Sequence, residues 1–157
     1  VDQLEEIINA LKDDKERYSR RLILSSWNPC QINEMALPPC HVLAQFNVIG
    51  DELSCCLYQR SCDVGLGVPF NIASYSILTH LLAKHCNLKA KEFIYNLGNI
   101  HIYDNHISSL KEQINREIYE FPKINIKNVY DDINKYSLED IEITNYNSNG
   151  KIEMQMR

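Results

Sequence analysis

No stretch of this chain approaches the about 18 consecutive apolar residues that a membrane-spanning helix needs. Its opening, VDQLEEIINALKDD, is acidic and amphipathic where a secretory signal would be basic and then apolar. Both absences lead us to expect a cytoplasmic protein with no membrane partner. Basic charge is also short: the formal net charge is −5, which argues against a general nucleic-acid footprint but leaves room for a local pocket that grips one phosphate. The six cysteines, at 30, 40, 55, 56, 62 and 86, contain no C-x2-C pair. Neighbours Cys55 and Cys56 would point to opposite faces of a strand, so no metal site is expected. A chain of this length does not need disulfide staples either, and reduced thiols are the expectation. Internal repeats and linkers are missing, and GLGVPFN fits neither G-x-x-x-x-G-K-[ST] nor G-x-G-x-x-G.

What remains is the composition of one folded domain: 157 residues, 45% hydrophobic and 24% charged. Leu4, Ile7, Ile8 and Leu11 repeat at helical spacing, so the chain opens on a helix. RRLILSSW reads as a strand and NPCQINEM as a turn with a short helical piece. CHVLAQFNVIGDELSCCLYQRSC reads as a hairpin turning at Gly50-Asp51. Beyond the glycines of DVGLGVPF, the spacing of Ile72, Tyr75, Leu78 and Leu82 predicts a helix with Pro69 in its first turn, ending near Asn87. EFIYNLGNIHIY is a further strand, and NHISSLKEQINRE a helix with Asn105 as its expected cap. PKINIK and EDIEITNY are late strands, and NYNSNGK a turn. Strands and helices mix without a strict βαβ rhythm, so the expected class is α+β, a mixed sheet packed with helices.

The chemistry concentrates around Cys40. Strict alternation would put Cys40, Val42, Ala44 and Phe46 on one face and His41, Leu43 and Gln45 on the other. That separates thiol from imidazole and disfavours a Cys–His pair. Two readings of Cys40 stand: a small core residue, or a thiol activated by a fixed positive charge, for which Arg60 in the neighbouring strand is the candidate. In YQRSCD the guanidinium of Arg60 and the hydroxyl of Ser61 could together hold a phosphate. Arg20 and Arg21 add two more guanidiniums. Each cluster by itself also reads as solvated surface.

MALPPCH, LYQRSCDVGLGVPFNIASYS and HIYDNHISSLKEQINRE, in that order, resemble the thymidylate synthase family over essentially the whole of residues 1–157. The resemblance implies a single domain that is the C-terminal portion of a synthase domain, some relatives being fused to dihydrofolate reductase. The implied reaction is reductive methylation of dUMP by 5,10-methylenetetrahydrofolate, giving dTMP and dihydrofolate with no metal. It assigns Cys40 as the nucleophile toward uracil C6, with Gln59 bracing its pocket. Arg60 and Ser61 are the implied phosphate ligands, and Arg20 and Arg21 arginines lent across a homodimer interface. Asn71 reads the base, His101 and Tyr103 reach the deoxyribose 3′-hydroxyl, and Asp63 and Gly67 lie on the folate side, with Asp63 also implied to contact dUMP and to join Cys40, Arg60 and Asn71 as a catalytic residue. His41 is implied to act through water, while His80, His85 and His106 carry no role.

The resemblance also has gaps. A loop arginine, a water-organising glutamate and folate-lining tryptophans have no counterpart, so a fragment of a longer synthase, incomplete at its N-terminus, is the expectation. The ending EMQMR places Arg157 where the family has a small apolar residue, which questions how the site closes. Two other functions fit the same residues: a pyrimidine hydroxymethylase, against whose cytosine form Asn71 argues, and a catalytically silent module.

Overall fold

A computed structural model of the chain describes residues 1–156, so the reading of Arg157 lies outside the described residues. Helix α1 (Gln3–Lys12) buries Ile7, Ile8 and Leu11. Asp2 caps it by accepting from the Glu5 N–H at 3.0 Å. Strand β1 (Ile23–Ser25) is much shorter than RRLILSSW suggests. Arg20 and Arg21 lie in a turn before it, where Ser19 Oγ accepts from the Arg21 N–H and the Gln45 amide donates to the Arg20 carbonyl.

Strands β2 (His41–Ile49) and β3 (Glu52–Asp63) form the expected hairpin, with Ile49 paired to Glu52. Gly50 takes φ +64° in the first of the two loop positions. Helix α2 (Gly67–His85) then crosses over to β4 (Lys89–His101), which runs parallel to β3. The sheet order is β1-β2-β3-β4, so a βαβ unit is joined to an antiparallel hairpin, and the mixed α+β class holds. Helix α2 closes as anticipated around Asn87, at φ +54°, where the Leu88 and Asn87 N–H groups reach back to the Ala83 and Lys84 carbonyls. Its buried face carries Tyr75 and Leu82, but Ile72 is 43% exposed and does not join it.

Helix α3 (Ile107–Ile114) begins later than NHISSLKEQINRE suggests. Asn105 is not its cap: a 3-10 turn over Asp104–His106 intervenes and His106 takes the cap position. Strands β5 (Lys123–Ile126) and β6 (Ile141–Thr144) pair in a separate small sheet.

The core lies on one face of the main sheet. Ala44, Phe46 and Val48 of β2 and Leu53, Cys55 and Leu57 of β3 pack with Ile7, Ile8 and Leu11 of α1 and Tyr75 and Leu82 of α2. The other face is open, and Ile23, Tyr58 and Ile94 remain exposed there. Cys55 faces inward and Cys56 outward, as alternation requires.

The register shifts between β3 and β4 near Leu53–Cys55 and, next to the site, within β2. A β-bulge between His41 and Leu43 shifts the register, so that His41 pairs with Gln59 and Leu43 with Tyr58. His41 therefore shares the inner face of Ala44 and Phe46, instead of opposing it. Its ring meets Tyr75 edge-on at 5.6 Å. The assignment of His41 with Leu43 and Gln45, opposite Ala44, is corrected by this extra residue.

Candidate active site

The C-terminal ends of the two parallel strands and the start of α2 bring most of the singled-out residues together. Asp63 at the end of β3 is in register with His101 at the end of β4, the position at which open α/β sheets leave room for ligands. Gly67 opens α2 between Asp63 and Asn71: a Cβ there would stand 3.5 Å from the Asp63 side chain and 3.7 Å from Asn71 Oδ1.

Half-buried Cys40 sits at the entry to β2 and is tied to Arg60 through the backbone, whose N–H donates to the Cys40 carbonyl at 2.8 Å. The Arg60 guanidinium folds back over the same segment, donating to the Pro39 carbonyl at 3.0 Å and the Pro38 carbonyl at 2.7 Å. It also lies over the Trp27 ring at 5.8 Å. Arg60 thus holds the Pro38–Cys40 turn against β3. No hydrogen bond joins Cys40 to His41 among the described residues, and His41 Nδ1 is buried without a protein partner. Burial raises the thiols of Cys55 and Cys86 to about 11 and pushes that of Cys62 up. These three stay protonated and inert.

Gln59, 1% exposed, is the hub of the site. Its amide nitrogen donates to the Ser61 carbonyl at 2.8 Å and to Asn71 Oδ1 at 3.1 Å, and its oxygen accepts from the Tyr95 hydroxyl at 2.6 Å. A carbonyl can only accept, so Ser61 fixes which end of the Gln59 amide is nitrogen. The remaining N–H then fixes the Asn71 amide with its oxygen toward Gln59. Burial, followed by the neighbouring Cys62, Cys40 and Tyr75, pushes the Tyr95 phenol up to about 12, so it remains a donor. Tyr95 is a functional candidate that the sequence did not reveal: its inward direction follows from alternation, but its proximity to Gln59 depends on the parallel register.

Beyond β4, His101 and Tyr103 stack edge-on at 5.4 Å, and Tyr103 does the same to His106 at 5.6 Å. The His101 Nδ1 lies 3.3 Å from the Asn99 carbonyl. The Asp63 carboxylate accepts from the Gly65 N–H at 3.0 Å. Arg20 and Arg21 are not brought to this group. They are exposed beside the outer sheet face, where Arg20 borders a cleft with Asn47, Ser54 and Ile94.

A family model described as thymidylate synthase matches residues 1–157. The chain belongs to the thymidylate synthase family. It is 54% identical over 99% of its length to a bifunctional dihydrofolate reductase-thymidylate synthase of Paramecium tetraurelia, of which it covers 33%. Against the thymidylate synthases of Saccharomyces cerevisiae and Homo sapiens the identities are 48% and 49%, again over 99% of this chain and covering 54% and 49% of those proteins. The chain thus spans between a third and about half of these thymidylate synthase relatives. No helix among the described residues is long and apolar enough to cross a membrane.

Proposed function

We propose that this chain carries the nucleotide-binding and nucleophilic part of a thymidylate synthase, converting dUMP to dTMP with 5,10-methylenetetrahydrofolate as donor of both the methylene carbon and the hydride that reduces it. The carrying observation is that Cys40, Arg60, Gln59 and Asn71 occupy one connected region in a chain of this family. The Cys40 thiolate adds to uracil C6, and C5 becomes the carbon nucleophile toward the folate's methylene group. C5 then loses its proton to solvent as the bond from the methylene to the folate nitrogen breaks, the freed folate passes a hydride to that methylene to complete the methyl and becomes dihydrofolate, and C6 releases sulfur. Arg60 has two tasks in this reading. It grips the nucleotide phosphate with Ser61, and its positive charge favours the thiolate.

Asn71 selects the base. With its oxygen held toward Gln59, its NH2 is left to donate to O4, and the second lone pair of the oxygen accepts from N3–H. Cytosine presents the opposite pattern. His101 and Tyr103 take the 3′-hydroxyl, and Asp63 accepts from pterin N–H groups beside Gly67. Arg20 and Arg21 reach the phosphate of a second copy. The exposed Ile23, Tyr58 and Ile94 of the outer sheet face supply apolar surface for that homodimer.

The test uses a chain extended upstream to the length of the relatives, incubated with 5-fluoro-dUMP and the methylene folate. A covalent adduct at Cys40, absent in Cys40→Ala, is expected by mass spectrometry. Intact protein without adduct would overturn the reading in favour of a silent module, and hydroxymethyl-dUMP formed from dUMP would favour the hydroxymethylase. Mixing Cys40→Ala with Arg21→Glu subunits should restore partial activity if the pocket is shared, and no recovery with proven hybrid dimers would remove that part.

A further inference from the structure

The C-terminal segment is attached to the rest of the molecule by the Asn149 side chain, which accepts from the Tyr119 hydroxyl at 3.0 Å and donates to the Glu117 carbonyl at 2.8 Å, and by a series of backbone carbonyls. Arg116 donates to the Asn149 and Gly150 carbonyls at 3.3 and 2.7 Å, and Ser109 Oγ donates to the Glu153 carbonyl at 3.0 Å. His106 Nε2 lies 2.8 Å from the Gln155 carbonyl. Because that oxygen can only accept, Nε2 carries the proton. The imidazole is fully buried, and its other nitrogen has no hydrogen-bond partner among the described residues. That Nδ1 lies against the loop that follows β3, 3.9 Å from Asp63 Oδ1. A Cβ added to Gly65 would fall 2.7 Å from it and 3.3 Å from Met154 Sδ. Three pieces of chain therefore meet on one ring: the Asp63–Gly65 turn, the cap of α3 and the terminal strap.

We infer that His106 is a positioning residue that fastens residues 153–156 across the Asp63–Gly65 turn, its Nε2–H holding the strap while the ring packs against the turn. The bare Cα of Gly65 is what lets the ring sit close enough to touch both. The hydrogen bonds that hold residues 153 and 155 end on backbone carbonyls, while the Met154 side chain packs beside Gly65. The significance of Asp63 for folate rests on the function proposed above, whereas the fastening itself is a property of the 157-residue chain and is measured without substrate.

Trypsin cutting after exposed Lys151 reports release of the strap. His106→Asn places an amide near Nδ1 but cannot reach Gln155, whereas His106→Gln carries its NH2 to the Nε2 position. We expect release of the 152–157 peptide to quicken roughly two- to tenfold in His106→Asn, the range that one lost hydrogen bond confers, and to return toward the wild-type rate in His106→Gln. Gly65→Ala leaves every hydrogen-bonding group in place but displaces the ring, and should quicken release similarly. Nitrogen-15 shifts of His106 in the unmodified chain should show a protonated Nε2 and a bare Nδ1. Wild-type cleavage rates in both His106→Asn and Gly65→Ala, or a proton on Nδ1 instead of Nε2, would overturn the inference. Should His106→Asn fail to fold, Gly65→Ala and the tautomer decide it. A fastened strap in a protein that forms no Cys40 adduct would sink the proposed function alone.

Discussion

Replacing Tyr95 by Phe removes one oxygen and nothing else, yet it should destabilise the fold and loosen the Asn71 amide together. The lost hydroxyl is the donor to Gln59 Oε1 at 2.6 Å, and Gln59 is 1% exposed, so water does not readily take its place. A buried acceptor left without a donor costs about 1–3 kcal/mol. With a urea slope of about 2 kcal/mol per M, the unfolding midpoint should fall by about 0.5–1.5 M. Gln59→Leu should cost more, since the Ser61 carbonyl, Asn71 Oδ1 and the Tyr95 hydroxyl all lose their partner. Once Leu occupies position 59, the hydroxyl has no acceptor there, so adding Tyr95→Phe should cost little. The double-mutant cycle should therefore show coupling of about 1 kcal/mol or more. In the extended chain, Tyr95→Phe should also raise the KM for dUMP more than that for the folate, because Asn71 loses a rigid neighbour. A midpoint within about 0.2 M of wild type, together with strictly additive single mutants, would refute the network as a source of order at Asn71.

Acidification should unfold the chain partly through His85. Burial, reinforced by Lys12 and opposed by Asp132 and Asp131, lowers the pKa of this buried imidazole. Its folded pKa lies below the unfolded value, so its contribution is present above about pH 6.5 and fades as pH falls. His85→Gln should flatten urea midpoints measured between pH 7 and 5, and an unchanged slope would contradict this. Phe46→Ala, at a fully buried position, should cost about 3–5 kcal/mol; a midpoint shift worth under 1 kcal/mol would mean the core does not close around that ring. Iodoacetamide should label exposed Cys30 and half-buried Cys40 in the native chain well before Cys55 and Cys86, whose thiols burial raises to about 11. Equal labelling of Cys55 and Cys40 by peptide mapping would show the inner face to be open.

Much of this architecture was legible in local pattern. The hairpin at Gly50-Asp51, the left-handed stop of α2 at Asn87 and the apolar stripe of α1 all follow from short-range preferences, and all three are found. The failures are of another kind. One unpaired residue near Val42 inverts the phase of everything before it, and nothing in CHVLAQF marks a bulge. The three-residue length of β1 reflects side-chain hydrogen bonds that hold Arg20 and Arg21 in a turn, and the late start of α3 reflects a preceding 3-10 turn. Around the site, the family resemblance supplied the residues from Cys40 to Tyr103. Tyr95 and His106 escaped because their partners, Gln59 and Gln155, are brought near only by parallel register and a returning tail.

The arrangement of β3 between a near neighbour and a far one has a kinetic consequence. Its pairing with β2 closes a two-residue loop, whereas its pairing with β4 waits for the whole of α2 to be threaded between them. Short closures are entropically cheap and fast, and long ones slow. A refolding chain should therefore join Arg60 to the Cys40 carbonyl early, and only afterwards give Gln59 its tyrosine. Pulse-labelled amides should show protection of Arg60 preceding that of the β4 amides, so the Pro38–Cys40 turn exists for a time before the Asn71 amide is held still.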